Sequence, residues 1–464
     1  MKLLFLLISI LTVGLTLRLA QLNSRAIWFD EQQSVLEANG IRDSISFSVY
    51  EVFQNSNFRQ EKNFANMVEA NIQRDSGNGI LHTGFLYYWS MLFGNSAFSV
   101  RIISVLFSVS SIVLLLFISQ DLGLSKISGY ISAMLFSLHH MAIMYAQEAR
   151  PYAMATFFIL LSATFFIKII KARDKFSYWL LFWFGVFSSI ALLVHYLTVY
   201  ILLGEIVIAI VFIREVRVWR NLILGGIITA LILSLWMYTG GFEGLHVMAL
   251  RNSNFQKLSA LDPDNTFYGQ TTFKTAVGGI FQMLVNMFGM GFQDLGLRIR
   301  DILPLMLIVV ALLISSKNLV VEKVQIYLGL IILMASAPIY ALLLAITSHH
   351  TISFQAGYSI FSVPFVCIFM GLILEQCYRK GNTAIRILVA AYSIVIIISG
   401  FATLKPTRHG LSKTDVNMES LAKELENHYT PGDTLVIGTK EKAMLFNLYF
   451  SNPSILQKVD TQSR

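Results

Sequence analysis

Residues 28–34 read Trp-Phe-Asp-Glu-Gln-Gln-Ser and stand just past the first apolar run of the chain. They place two adjacent carboxylates, Asp30 and Glu31, beside a hydrophobic span, where desolvating charge is costly. Such a pair is either the solvated start of an ordinary loop or a functional site at a membrane face. The rest of the chain decides between the two.

Of 464 residues, 55% are hydrophobic and 13% charged, against about 25% charged in a typical soluble domain. That is too little charge to cover a soluble globule of this length, so the composition specifies an integral membrane protein. The net charge of +8 comes from basic residues in short clusters between apolar runs, a topology signal rather than a nucleic-acid footprint. Cys367 and Cys377 lie in one apolar segment. A helix separates them by roughly 15 Å, which excludes a disulfide between them. No Cys/His spacing suggests zinc.

Apolar runs near the ~20 residues needed to cross a bilayer fall at 3–20, 99–119, 127–145, 152–170, 177–194, 196–213, 221–239, 302–316, 324–346, 355–376 and 384–403. They predict an all-α polytopic membrane protein with about eleven transmembrane helices. Residues 276–292 form a further run, weakened by Gly278, Gly279, Gly289 and Gly291, and read as interfacial. The first run lacks a small-residue cleavage site before Arg18 and reads as an uncleaved span.

Charge sets the expected orientation. Lys126, then Lys168, Lys171, Arg173 and Lys175, then Arg214, Arg217 and Arg220 occupy short loops on one side. Lys317, Lys323, Arg379, Lys380 and Arg386 continue the pattern, while the opposite short loops hold Arg150 and little else. The positive-inside rule makes the first side cytoplasmic. Residues 1–403 then form a transmembrane domain of a cell membrane, its N-terminus inside, with long outer loops at 21–98 and 240–300. Residues 404–464 form a small extracytoplasmic tail, in which Pro431-Gly432-Asp433 followed by Thr434 to Ile437 reads as turn then strand. The apolar stretch from Leu445 to Phe450 can pack on it.

Two further outer stretches carry chemistry-bearing residues. One runs His82-Thr83-Gly84-Phe85-Leu86-Tyr87-Tyr88-Trp89 and then Gly94-Asn95-Ser96 to Arg101. The other, Tyr145-Ala146-Gln147-Glu148-Ala149-Arg150-Pro151-Tyr152, holds two charges in a connection barely long enough to turn the chain. Pro151 suits the first turn of the next helix. Taken singly, these are an aromatic interfacial belt and an interfacial Glu148–Arg150 pair. All nine histidines, His195 among them, fall in outer loops or at outer span ends. That distribution suits a polar site at one face.

In this order, on one face, the acidic pair, the aromatic loop leading to Arg101 and the Glu-Ala-Arg-Pro-Tyr turn resemble the dolichyl-phosphate-mannose-protein mannosyltransferase-like family. This is glycosyltransferase family 39, of the GT-C class of membrane glycosyltransferases. The motifs lie in residues 28–34, 82–104 and 145–152, with similarity of topology over most of the chain. The resemblance implies inverting transfer of a sugar from a polyprenyl-phosphate donor to an extracytoplasmic hydroxyl on a protein, lipid or envelope glycan. It implies Asp30 as base, with Glu31 as its assistant or as a metal ligand. No metal is expected to be required, although a divalent ion at Asp30 and Glu31 fits the class. Arg150 and His82 would contact the phosphate, Glu148 would orient Arg150 or serve the acceptor, and Tyr87, Tyr88, Tyr152 and His195 would line the sugar site. Two departures stand out. Thr83-Gly84 replaces a common Pro-Pro, and Gly357-Tyr358 replaces Arg-Tyr. The second leaves Arg251, Lys257 or Lys274 of the 240–300 loop to supply another cation. The rival expectations are a lipid transporter or flippase and a non-catalytic membrane partner. Mid-span charge is scarce apart from Glu205, and no internal repeat is visible, which weighs against a transporter.

Overall fold

The computed structural model describes residues 2–23, 25–42, 52–54, 61–172, 176–265, 267–290, 309–311, 324–404, 418–428, 430, 434–437, 440–450 and 456–459. The predicted span at 302–316, apart from 309–311, lies outside the described residues, as do Arg173, Lys175, Lys317, Lys323, His409 and Pro431-Gly432-Asp433.

Helices occupy the other predicted spans. They are α1 (Lys2–Leu19), α5 (Ala97–Asp121), α6 (Lys126–Leu138) with α7 (His140–Ala146), α8 (Tyr152–Lys171), α9 (Tyr178–Val194) and α10 (Val199–Phe212). There follow α11 (Val216–Trp236), α14 (Val324–Ser348), α15 (Val363–Lys380) and α16 (Thr383–Ala402). Among the described residues, six helices are long and apolar enough to cross a bilayer, α6 with α7 forms a bent seventh, and three shorter apolar helices accompany them. The run at 276–292 corresponds to α13 (Phe273–Met287), whose 15 residues are short for a crossing.

The bend between α6 and α7 has a physical cause. His139 takes an extended conformation there and the axis turns by 56°. The break strips the α6 carbonyls of their intrahelical donors, and the fully buried Arg18 of α1 caps them. Its guanidinium donates to Ser137 O and Phe136 O at 3.0 and 3.2 Å, and to Gly14 O and Ser108 Oγ. Every one of these acceptors lies within the helical bundle, so a charge at the end of a span is met by four protein oxygens.

The first long loop folds as α2 (Phe29–Ala38), β1 (Val52–Gln54), α3 (Phe64–Asp75) and α4 (Ile80–Phe93). α2 ends in a Schellman motif. Gly40, at φ +72°, lets its N–H reach Glu37 O at 2.8 Å while Ile41 N–H reaches Leu36 O at 3.0 Å. The second long loop begins with α12 (Phe242–Leu261), which continues α11 through a π-type turn at Met237–Gly241.

The tail is joined to the first long loop. Its elements are α17 (Met418–His428), β2 (Thr434–Ile437), α18 (Lys440–Tyr449) and β3 (Leu456–Val459). β2, α18 and β3 form a parallel β-α-β unit, and β1 adds antiparallel on the other edge of β3. Met444, Phe446 and Phe450 pack with Val35, Leu36 and Ala38 of α2 in one apolar cluster. The tail thus buttresses the helix that carries the acidic pair.

Candidate functional site

Asp30, Ser34 and Glu37 are spaced i, i+4 and i+7 on α2 and so share one face of that helix. Arg150, from the turn between α7 and α8, lies across this face. Its Nη1 donates to Asp30 O at 3.3 Å and to Ser34 Oγ at 3.1 Å. Nη2 stands 3.6 Å from Asp75 Oδ2, at the end of α3. Arg150 Nε is buried with no hydrogen-bond partner among the described residues. Burial opposes the charge on Arg150, but the carboxylates of Asp75 and Asp30 outweigh it and raise the guanidinium above its ordinary value. The Asp30 side chain is half-buried, within electrostatic reach of Arg150, Tyr145, Tyr152 and Tyr358.

Asp75 also faces Arg251 of α12, with 3.9 Å to Nη1, while Arg251 Nη2 donates to Arg74 O at 2.6 Å. Of the three cations open on sequence grounds, Arg251 is therefore the one brought to this cluster, while Lys257 and Lys274 are exposed. Gly357 occupies the position where an Arg was missed, and its geometry explains the loss. A Cβ there would lie 2.9 Å from the Tyr145 hydroxyl and 3.1 Å from that of Tyr152, so no longer side chain fits without moving both rings. Burial raises Asp75 above its ordinary value, helped by Asp30 and opposed by Arg150 and Arg251.

Glu37 closes the cluster. Its Oε2 accepts from Asn71 Nδ2 at 3.0 Å and from Thr83 Oγ1 at 3.1 Å, while Oε1 is buried without a partner among the described residues. Thr83, the residue found where proline is common, is thus a donor to this carboxyl. Burial first, and Asp75 second, push Glu37 up to about 8. An unfolded Glu37 would titrate near 4.5. The stability it contributes is therefore fully present below about pH 4.5 and is lost as the pH rises through about 8. The melting temperature of the wild type is expected to fall across that window, and Glu37→Gln to flatten the fall. An unchanged slope in the variant would remove Glu37 as its source.

Glu31 points elsewhere, because adjacent helical residues are turned about 100° from each other. It is fully buried against Arg101. Arg101 Nε donates to Oε1 and Nη2 to Oε2, both at 2.7 Å. Ala149 N–H reaches Oε1 at 2.8 Å, and Trp28 N–H reaches Oε2 at 3.3 Å. Four donors on two oxygens correct the expectation of Glu31 as an assistant base or metal ligand; it is an anchor. A divalent ion held by Asp30 and Glu31 together would have to break the Arg101 pair, so these residues do not fit that group.

The remaining expected site residues divide. His82 is buried near Arg150 and Nε2 has no partner among the described residues. Burial, then the Arg150 charge, lower it to about 3, so it meets the site as a neutral ring and not as a cation for phosphate. Tyr152 lies 4.6 Å from the Tyr145 ring and 5.1 Å from that of His195, forming an aromatic floor. His195 Nδ1 accepts Leu197 N–H, which leaves its proton on Nε2. Glu148 is buried, within electrostatic reach of Arg101, Tyr145 and Tyr152. Tyr87 and Tyr88 are not brought to the cluster. Their ring contacts are with Phe64 and with each other, and Lys62 covers Tyr87. Sequence reasoning missed Glu37, Asp75 and Tyr145. The 30/34/37 spacing was the available signal for Glu37, whereas nothing local marks Asp75.

The match to known families follows this geometry. Residues 81–238 match the family described as dolichyl-phosphate-mannose-protein mannosyltransferase. No curated protein matches the chain by sequence. Among solved structures, ArnT from Cupriavidus metallidurans bound to undecaprenyl phosphate is similar over 97% of this chain and 85% of its own, with 12% identity and a TM-score of 0.57. The apo oligosaccharyltransferase of Archaeoglobus fulgidus is similar over 96% of this chain, with 10% identity and a TM-score of 0.54. AglB from the same archaeon, with an inhibitory peptide and a dolichol-phosphate, covers 99% at 8% identity and 0.54. This chain spans 63% and 64% of the length of those two archaeal proteins. The chain is a multi-pass helical membrane protein with the fold of ArnT and the archaeal oligosaccharyltransferase, and within it residues 81–238 match the dolichyl-phosphate-mannose-protein mannosyltransferase family.

Proposed function

We propose that this protein transfers a sugar, with inversion, from a polyprenyl-phosphate donor to an acceptor hydroxyl on the extracytoplasmic face of a cell membrane. The observation that carries the reading is the half-buried Asp30 carboxylate on a helix face that also seats Arg150. In the reaction the acceptor oxygen attacks the anomeric carbon, the bond from that carbon to the phosphate oxygen breaks, and the acceptor proton passes to Asp30. The carboxylate also opposes the positive charge that develops on the sugar ring. Arg150 and Arg251 disperse the negative charge left on the lipid phosphate, a role suited to the guanidinium fork. Arg150 Nε, without a hydrogen-bond partner among the described residues, is a donor open to that phosphate. Asp75 holds both arginines in place until the phosphate competes for them. Neutral His82 and the Tyr145–Tyr152–His195 floor contribute hydrogen bonds and a ring face to the sugar. ArnT and AglB, with their polyprenyl and dolichol phosphates, support this donor class.

The test is release of free polyprenyl phosphate from a panel of polyprenyl-phosphate sugars by the purified protein in lipid. Movement of lipid between leaflets without cleavage would instead identify a flippase. Arg150→Ala is expected to lower kcat/KM for the donor about a hundredfold, with a smaller effect on acceptor KM. Equal loss toward both substrates would make Arg150 structural.

A further inference from the structure

At the opposite end of the bundle, α5, α8, α10 and α14 surround a cavity of ≈ 230 Å³. It lies away from Asp30, since α8 runs from Tyr152 in the site to Lys171 at this cavity. Its walls are mostly aliphatic, yet Glu205 reaches it from the middle of α10. Glu205 is 1% exposed, and among the described residues neither of its carboxyl oxygens has a hydrogen-bond partner. A carboxyl buried in apolar surroundings without a donor is costly, and within a membrane such a group marks a place for a partner. The rim adds Asp121 and Glu215, with Lys171 as the basic residue lining the cavity. Lys168 faces Asp121 at 3.9 Å. Among the described residues, three carboxyl groups and one ammonium line the cavity.

We propose that this cavity binds a small amphiphile with a single protonated amine head and an apolar body. The ammonium donates to the two open oxygens of Glu205, which removes their desolvation deficit. The body lies along the aliphatic walls. The Glu205 carboxyl disfavours an anionic head of equal size. This site is independent of the transfer reaction proposed above.

The experiment uses the full chain in lipid nanodiscs, with protein-free nanodiscs as the baseline, and measures equilibrium binding of decylamine, decanol and decanoate. Decylamine is expected to bind at least tenfold tighter than decanol, with decanoate weakest. Glu205→Gln should erase the preference for the amine while leaving decanol binding in place. Gly329→Phe offers a second variant. Gly329 lines the cavity and a Cβ there makes only an ordinary 3.8 Å contact with Ile208, so the ring projects into the space and should weaken binding of both decylamine and decanol. Equal binding of the three probes to the wild type would overturn the proposal. So would an undiminished amine preference in Glu205→Gln. If Glu205→Gln loses its melting transition, wild-type affinity retained by a folded Gly329→Phe overturns it.

Discussion

Asp30→Asn is expected to lower sugar transfer by about a thousandfold, within the range for loss of a general base, while the protein melts within a few degrees of the wild type. The reason lies in how Asp30 is held. Its backbone carbonyl, not its carboxylate, accepts from Arg150. The carboxylate is half-buried rather than locked into a buried pair. Asparagine keeps the side-chain shape, and the lost charge in the first turn of α2 costs only about 0.3–1 kcal/mol of helix-dipole stabilisation. What disappears is the acceptor for the hydroxyl proton. Release of polyprenyl phosphate and a melting curve on the same preparation separate the two effects. Activity within tenfold of the wild type would take Asp30 out of the role of base.

The neighbouring residue should behave in the opposite way. Glu31→Leu is expected to destabilise the protein by about 3–5 kcal/mol, the cost of leaving one member of a buried ion pair without its partner. Arg101 and Glu31 are 3% and 0% exposed at their side chains. Beyond its two bonds to Glu31, Arg101 donates to Leu22 O, Arg25 O and Ala26 O at 2.8, 3.0 and 3.0 Å. Glu31 in turn receives Ala149 N–H, so the pair ties the exit from α1, the start of α2, α5 and the Arg150 turn at one point. Removing Glu31 leaves a guanidinium in a site that excludes water. Replacing both residues together, as Glu31→Leu with Arg101→Met, should recover part of the loss, because no orphan charge remains. Thermal or denaturant unfolding of the two singles and the double measures this. A Glu31→Leu protein with normal stability and absent activity would return Glu31 to the chemistry.

Two carboxylates side by side in sequence therefore have different work. A reading of the linear chain sees them as one feature, as it sees Tyr87 and Tyr88. The helix turns each residue away from its neighbour, and α2 leaves Asp30 within electrostatic reach of Arg150 while Glu31 is paired with Arg101. The same rotation brings Glu37, seven residues on, beside the site. Gly357 is a related case. Its role as the residue that leaves room for two tyrosine rings depends on the approach of three separate segments.

What the sequence determined by itself is the membrane-embedded helical bundle. A bilayer sets the length of a crossing segment, so apolar runs and the charges at their ends report spans without any knowledge of packing. The order of the acidic pair, the aromatic loop and the Glu-Ala-Arg-Pro-Tyr turn likewise lies on the surface of the sequence. Tertiary structure alone decided which of those residues meet. Asp75 and Arg251 are 176 positions apart and face each other only because α12 returns over the end of α3. The tail strand β3 finds β1 of the first loop, and α18 covers α2, through contacts that no local pattern encodes. Spans follow from local hydrophobicity, whereas the cluster of Asp30, Arg150, Asp75 and Arg251 depends on long-range packing and on the rotation of each side chain about its helix.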